Sequence, residues 1–283
     1  MFTGKFDANL RATNVIARSG MTPLRVELQV GQGASAGEIS GRVTDGIWTA
    51  PLSGGRMAAS SSLAGEYTVV IPGANGNPAL PAGDGYGTLH LANDGLGTLS
   101  GTLADGTQFS QTAYLTESGD WPLYVPAYSG KGALVSWLNF ANLAASDVSG
   151  DLVWIKQAGA SLTSYAGGFT NGTKAVGAVY TMPLDLGKSL NLSGANVTFS
   201  GGELSSSFNN VVSVNAGNQV VNLSPNEMSL RITKTTGSFS GQVRDPNSDK
   251  LYNFGGVVLQ KQNAARGTTI GASLASRVVL AAP

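Results

Sequence analysis

A short pattern recurs along the chain and limits its fold more than any other feature of the sequence. In each copy a strand-like run ends in a polar turn, and the next run carries the dipeptide Ser-Gly. The dipeptide occupies this context at Ser40-Gly41, Ser100-Gly101, Ser149-Gly150 and Ser240-Gly241. Because recurrence of one small unit is typical of repeat architectures, we expect a chain built from duplicated β-meanders.

The first copy shows the periodicity of a half-buried strand. Its apolar residues Leu24, Val26, Leu28 and Val30 are separated by Arg25, Glu27 and Gln29. Successive side chains of a strand point to opposite faces, so one face is predicted to be buried. Asp45-Gly46 and Asp105-Gly106 then supply the residues that tight hairpin turns prefer. A glycine inside the Ser-Gly strand is expected to permit a bulge or the close approach of a neighbouring aromatic ring.

The predicted fold class is therefore all-β and antiparallel, with meander repeats forming one or two β-barrels or a barrel-sandwich hybrid. Closure is favoured because open repeats with weakly charged edges tend to aggregate. Two lobes are predicted, residues 1–141 and 142–283. Residues 1–6 resemble the start of a strand rather than a signal peptide, and no apolar run is long enough for a transmembrane helix.

The chain carries little charge. Charged residues make up 12% of it, and 17 Lys and Arg balance 17 Asp and Glu. No basic field is available for a nucleic acid, so we expect no nucleic-acid partner. The 39 glycines are spread along the whole chain, as a protein rich in turns requires, and cysteine is absent. This Gly-, Ser-, Thr- and Asn-rich composition suits an extracellular or cell-surface protein.

Several longer segments resemble a known kind of module. They are residues 83–89, 99–107, 121–124, 130–132, 148–156, 165–169 and 254–260. Together they are similar to a β-rich module in the C-terminal part of large exported or surface proteins of Verrucomicrobia and related bacteria. The resemblance covers most of residues 65–283 and, more loosely, the first lobe. It implies an exported, surface-associated β module without an assigned activity, and we expect the chain to be the module alone, without the repeat array that usually precedes it.

Metal-binding and cofactor chemistry find little support in the sequence. His90 is the only histidine, it alternates with Leu89 and Leu91, and no cysteine can join it in a zinc or copper site. We therefore expect His90 to face solvent. Asp84, Asp94 and Asp105 lie near turns and are interpreted as turn formers rather than calcium ligands. No metal ligand and no cofactor are predicted.

Motifs for catalysis are equally weak. A Gly-x-Ser-x-Gly pattern occurs at Gly33–Gly37, but a nucleophile elbow needs a helix after it, and a strand-like run follows here. We predict a hairpin loop. A carboxylate pair for glycoside hydrolysis stays open because 17 acidic residues are present. No catalytic residue is predicted, and the chain is not expected to be an enzyme.

Aromatic side chains give the best indication of a binding site. Six of them gather in the first lobe and at its junction with the second: Trp48, Trp121, Tyr124, Tyr128, Trp137 and Trp154. On an exposed strand such rings could stack on a sugar, since their faces are apolar and their tips polar. The favoured alternative is that they fill the core.

The sequence thus predicts a non-catalytic extracellular or surface structural module for adhesion, assembly or display. A carbohydrate-binding module is the first alternative, and a glycosidase-like hydrolase is the second. The partners that fit are a second copy of the chain or a cell-surface glycan or protein. An outer-membrane barrel is disfavoured, because the chain has few aromatic residues for the two interfacial girdles.

Overall fold

The computed structural model describes residues 3–74, 76–160, 164–270 and 272–283. It contains twenty antiparallel strands, and the only helices among these residues are three-residue 3-10 turns. The prediction of an all-β, antiparallel fold is confirmed. By its internal contacts the chain divides into two units, one comprising Met1–Ala59 with Thr116–Ser118 and the other the remainder.

The first unit holds one four-stranded sheet with the order β1-β2-β3-β4, here called the N-terminal sheet. Its strands are β1 (Arg11–Arg18), β2 (Met21–Val30), β3 (Glu38–Thr44) and β4 (Thr49–Gly55). A 3-10 turn, Gly33–Ser35, joins β2 to β3, so the Gly-x-Ser-x-Gly pattern lies in a hairpin connection as predicted. Residues 3–7 form no strand, which corrects the expectation for residues 1–6; Met1 and Phe2 lie outside the described residues.

The second unit holds two eight-stranded sheets, each nearly closed. Barrel 1 consists of β5 (Gly65–Ile71), β6 (Gly85–Leu91), β7 (Leu96–Thr102), β8 (Gln108–Tyr114), β9 (Asp120–Ala127), β10 (Gly132–Phe140), β11 (Val148–Lys156) and β12 (Phe169–Val179). Barrel 2 consists of β13 (Gly194–Ser200), β14 (Phe208–Val214), β15 (Val220–Asn222), β16 (Met228–Ile232), β17 (Ser238–Arg244), β18 (Leu251–Leu259), β19 (Ala264–Ile270) and β20 (Arg277–Ala281). The remaining 3-10 turns are Tyr128–Gly130, Ala216–Asn218 and Gln260–Gln262.

Both barrels follow an up-and-down path in which the first strand pairs with the last. β5 pairs with β12 in barrel 1, and β13 pairs with β20 in barrel 2. The predicted boundary between residues 141 and 142 falls in the connection between β10 and β11, which pair within barrel 1. The boundary between the two units of the structure instead follows residue 59.

One seam in each barrel lacks a ladder of backbone hydrogen bonds between its two strands. At the β8–β9 seam the amide of Gln111 donates to the Pro122 carbonyl at 2.7 Å and accepts from the Tyr124 N–H at 2.6 Å. At the β15–β16 seam of barrel 2, an isolated bridge pairs Gln219 with Arg231. Beside the connection between these two strands, the amides of Asn210 on β14, Asn222 on β15 and Asn226 bond to one another. Both seams thus satisfy backbone or amide groups that would otherwise lie at an open edge.

The recurrent Ser-Gly glycines lie where two strands pass with no room for a side chain. A Cβ on Gly41, Gly101, Gly150 or Gly241 would lie 2.0–2.2 Å from a carbonyl oxygen of the neighbouring strand. Aromatic rings also cover two of these glycines, since Phe109 is the register partner of Gly101 and Phe254 that of Gly241. The expected close approach of an aromatic ring is therefore found at two of the four copies.

The interiors of both barrels are filled with apolar side chains. Trp121, Trp154, Leu89 and Leu134 belong to the buried cluster of barrel 1, and Phe199 and Phe254 to that of barrel 2. A third cluster joins the barrels, where Val70 and Ala178 of barrel 1 meet Val257 and Leu259 of barrel 2. Strand β5 is buried on both faces from Tyr67 to Ile71 because barrel 2 covers its outer face.

A buried ion cluster also links the two barrels. Asp84 is fully buried and faces Arg266 at 2.9 Å and Arg277 at 3.2 Å, both on strands of barrel 2. The interpretation of Asp84 as a turn former is therefore wrong, because its carboxylate joins the barrels. Asp94 does form a turn, as it accepts the Leu96 N–H at 3.0 Å.

Candidate binding surface

The six predicted aromatic residues divide into three groups. Trp121 and Trp154 are buried inside barrel 1. Tyr128 is half-buried at one end of that barrel. Tyr124 and Trp137 lie on its outer face, with 61% and 42% of each residue exposed. Trp48 is exposed in the β3–β4 turn of the first unit.

Tyr128 and Trp154 take part in a buried polar cluster rather than an open site. The Lys156 ammonium lies 2.9 Å from Asp105 Oδ2, and both side chains are almost completely buried. Tyr128 donates to the same carboxylate oxygen at 2.7 Å and accepts the Trp154 indole N–H at 3.0 Å. Burial and the neighbouring Asp105 carboxylate raise the pKa of Tyr128 well above its ordinary value, so the phenol keeps its proton and donates.

The same cluster explains the position of Asp105. Its Oδ1 accepts the Thr107 N–H at 3.1 Å, which makes it the turn former that the Asp-Gly pair predicted. Its Oδ2 balances the Lys156 charge, and Lys156 also donates to the Ser164 carbonyl at 2.9 Å. Charges buried this deeply persist when they are paired and hydrogen-bonded, so the cluster serves the stability of the barrel end.

Trp137 and Tyr124 lie on adjacent strands of the outer face. Trp137 of β10 stands opposite Pro122 of β9, and Val135 of β10 stands opposite Tyr124. The two rings are therefore diagonal neighbours, a spacing at which aromatic side chains remain within reach of each other. The order of strands thus brings together two of the six predicted residues.

Further apolar residues extend this pair across three strands. The outward-facing residues of β9, β10 and β11 form what we call the aromatic face: Pro122, Tyr124, Pro126, Ala133, Val135, Trp137, Val153 and Ile155. Val135, Val153 and Ile155 are each at least 36% exposed. A contiguous exposed apolar face of this kind commonly marks an interaction site.

The neighbouring strands β7 and β8 of the same barrel show that an apolar exterior is not required by the fold. There the outward residues of β7 and β8 form hydroxyl pairs, Thr98 with Thr112 at 3.1 Å and Ser100 with Ser110 at 2.9 Å. All of these strands are antiparallel members of one sheet. The aromatic face therefore belongs to the sequence of β9–β11 and not to barrel construction in general.

Polar groups border the aromatic face. Asn139 follows Trp137 on the outward side of β10 and donates to Asp120 Oδ1 at 3.0 Å. Asp151 and Lys174 are register partners on β11 and β12. An apolar centre with an amide, carboxylates and an ammonium at its margin can hold a ligand that has both apolar faces and hydroxyl groups.

The aliphatic part of this face escaped the sequence predictions. The segment Leu134–Asn139 is apolar on both alternating sets, and so is Leu152–Ile155. Two-sided apolar strands normally indicate burial on both faces, which concealed the exposed side. The signal in the sequence is the succession of three strands, β9, β10 and β11, that each carry apolar residues on both faces.

The other residues considered as metal ligands have partners in the structure. No group of three or more His, Cys, Asp or Glu side chains that could hold a metal ion occurs within the described ranges. His90 is exposed, as expected, and lies 2.6 Å from Glu66. The buried carboxylates of Asp84 and Asp105 each oppose a cation. In the part of the chain that the structure describes, no helix has the length and hydropathy to cross a bilayer.

Comparison with known proteins assigns this chain to no family. Neither a protein-family model nor a curated protein matches this chain.

Proposed function

We propose that the chain is a non-catalytic extracellular or cell-surface module that adheres through the aromatic face of barrel 1. The observation that carries this proposal is an exposed apolar surface on a barrel whose interior is already filled. A filled barrel leaves its exterior for contact with a partner, and Tyr and Trp are enriched where partners bind. The resemblance to modules of exported bacterial proteins supports the extracellular placement.

The test uses beads that display the chain and measures their retention on cellulose, chitin and gelatin films under flow. We expect retention on at least one film. The double variant Tyr124→Ala/Trp137→Ala should lower it several-fold, because both rings leave the aromatic face. Trp48→Ala is the matched control, since Trp48 is similarly exposed (44%) but lies in the other unit. Absence of retention on all three films, or an equal loss in both variants, would contradict the proposal.

Carbohydrate binding is the second candidate, and the pair Tyr124–Trp137 favours it. Two diagonal rings on a strand face, bordered by Asn139 and Asp120, offer apolar stacking for a sugar ring and hydrogen bonds for its hydroxyls. This candidate predicts retention on cellulose or chitin but not on gelatin. Soluble oligosaccharides should then change the Trp137 fluorescence, and a Trp137→Phe variant should lose that signal. Retention on gelatin alone would be consistent with the adhesion proposal and would exclude carbohydrate binding.

A further inference from the structure

The N-terminal sheet has the connectivity of half a barrel. Its four strands form a meander with Ser-Gly in the third strand, as β5–β8 and β9–β12 do in barrel 1. Gly41 approaches the Glu27 carbonyl in the way that Gly101 approaches Tyr86 and Gly150 approaches Trp137. In barrel 1 two such meanders close on each other. The N-terminal sheet contains one.

This sheet has an apolar face that lacks a core. Strand register places ten apolar side chains on it: Ala12, Ile16, Leu24, Val26, Leu28, Val30, Ile39, Val43, Ala50 and Leu52. Among them only Ala12 and Val26 are buried. None of the three buried clusters found in the described residues draws a member from the first 59 positions. A four-stranded sheet with one apolar face requires a second layer to bury it.

In the described part of the chain, both outer strands of the sheet lack a partner strand on their outer edge, and the chain directly after β4 is bridged from Met57 to Thr116. Within the described residues, β1 pairs only with β2 and β4 only with β3. Between Thr13 and Ala17 the edge strand β1 carries no charge, and β4 carries none at all. Edges that remain unpaired in a soluble protein are usually protected by charges. The protective residues on these two edges are Arg11 and Arg18 at the ends of β1 and Pro51 on β4.

Barrel 1 shows how such a sheet is completed. There the first strand of one meander, β5, pairs antiparallel with the last strand of the other, β12, and the two apolar faces share one interior. Two N-terminal sheets related by a two-fold axis could close in the same way. Strand β1 of each copy would then pair with β4 of the other, which gives two equivalent seams. Such an isologous contact closes on itself and leaves no edge open. The interior would hold two sets of ten apolar side chains.

We infer that two copies of this chain form a dimer in which their N-terminal sheets close into one eight-stranded barrel. The partner is a second copy because the chain itself builds barrel 1 from two meanders of this type. The contact uses no residue of the aromatic face. Its failure and the failure of the adhesion proposal are therefore separate results.

The experiment measures the solution mass by light scattering over a dilution series. We expect about twice the chain mass of 28.8 kDa. Ile16→Glu places a charge on the apolar face of β1 and should give the monomer mass. Val15→Glu is its matched control, because Val15 is the preceding residue, points to the other face and is 70% exposed. It should remain dimeric. A monomeric wild-type chain, or equal behaviour of the two variants, would overturn the inference.

A disulfide test remains decisive if Ile16→Glu fails to fold. The chain has no cysteine, so only introduced thiols can react. Within one sheet β1 and β4 are three strand spacings apart, roughly 14 Å, whereas a disulfide needs Cα atoms within about 7 Å. Thr13→Cys/Ser53→Cys and Thr13→Cys/Pro51→Cys test two registers. A covalent dimer on a non-reducing gel in either variant supports the inference, and exclusively monomeric bands in both contradict it.

Discussion

Lys156 and Asp105 form an ion pair 2.9 Å long in which both side chains are withdrawn from water. The pair joins the end of β11 to the β7–β8 turn, 51 residues earlier. Removing one partner leaves the other charge buried and unpaired, which typically costs about 3–5 kcal/mol. We expect Asp105→Asn and Lys156→Met each to lower the free energy of unfolding by that order, measured by urea denaturation with tryptophan fluorescence.

The double variant Asp105→Asn/Lys156→Met should be less destabilised than the sum of the two single variants, since it leaves no unpaired charge. Glu66→Gln serves as the control because Glu66 belongs to an exposed pair with His90. It should unfold at nearly the wild-type urea concentration. Strictly additive losses in the double variant would contradict a paired, charged state.

The Ser-Gly glycines should resist replacement by alanine. A methyl group on Gly101 would lie 2.2 Å from the backbone carbonyl oxygen of Tyr86 and 3.0 Å from the Cζ atom of the Phe109 ring. Overpacking of this kind typically costs about 1–3 kcal/mol, so Gly101→Ala should lower the unfolding temperature by several degrees in calorimetry. Gly172→Ala is the control, because no atom lies within 4 Å of its Cβ position. Equal unfolding temperatures for the two variants would contradict the close approach of the strands.

Gln111 should control the opening of barrel 1 at the β8–β9 seam. Gln111→Ala removes both hydrogen bonds of the amide, so the Tyr124 N–H loses its partner. We expect faster hydrogen exchange at the Tyr124 amide and a loss of about 0.5–1.5 kcal/mol in stability. Gln242→Ala, which breaks an exposed bond to Asn253 in barrel 2, should leave that exchange rate unchanged. Unaltered exchange in Gln111→Ala would show that the seam is held by other contacts.

Glu203 makes part of the stability dependent on pH. Burial alone would raise the pKa of Glu203, but hydrogen bonds from Lys250 and from the backbone of Leu274 and Ser273 outweigh it and lower the pKa. A lowered folded-state pKa stabilises the protein above the unfolded-state value of about 4.3, and this contribution is lost as pH falls through the folded-state value.

The unfolding temperature should therefore fall on acidification below about pH 4.3, and less steeply in Glu203→Gln than in the wild type. Lys250→Met removes one of the donors and should give an intermediate slope. At neutral pH, Glu203→Gln should be the less stable protein. Parallel pH profiles for the wild type and Glu203→Gln would contradict this role.

Much of the local structure follows from the sequence. The alternation in β2 and the Asp-Gly turns predict strands and hairpins because each depends on neighbouring residues only. The pairing that closes barrel 1 depends on residues more than a hundred positions apart, such as Val70 and Val176. The burial of both faces of β5 also depends on barrel 2, which no local pattern records.

The candidate site was predictable only in part. In β10, alternation places Ser136 on one face and Trp137 on the other, but it does not say which face is inside. The large apolar ring of Trp137 would be expected in the core. Instead Ser136 is buried and donates to the Asp151 carbonyl at 2.9 Å. Lys156 is likewise buried because of a partner distant in sequence. In both cases the tertiary contacts override the preference of the single residue.

The pairing of first with last strand in each barrel has a mechanical consequence. Tyr67 lies opposite Val179, and Asn196 lies opposite Ala281, so the chain enters and leaves each barrel at the same end of two adjacent strands. Tension along the polypeptide would peel these pairs apart one after another rather than shear them all together. In single-molecule pulling, each barrel should therefore yield at low force and release its length, which makes it an extensible segment of the chain.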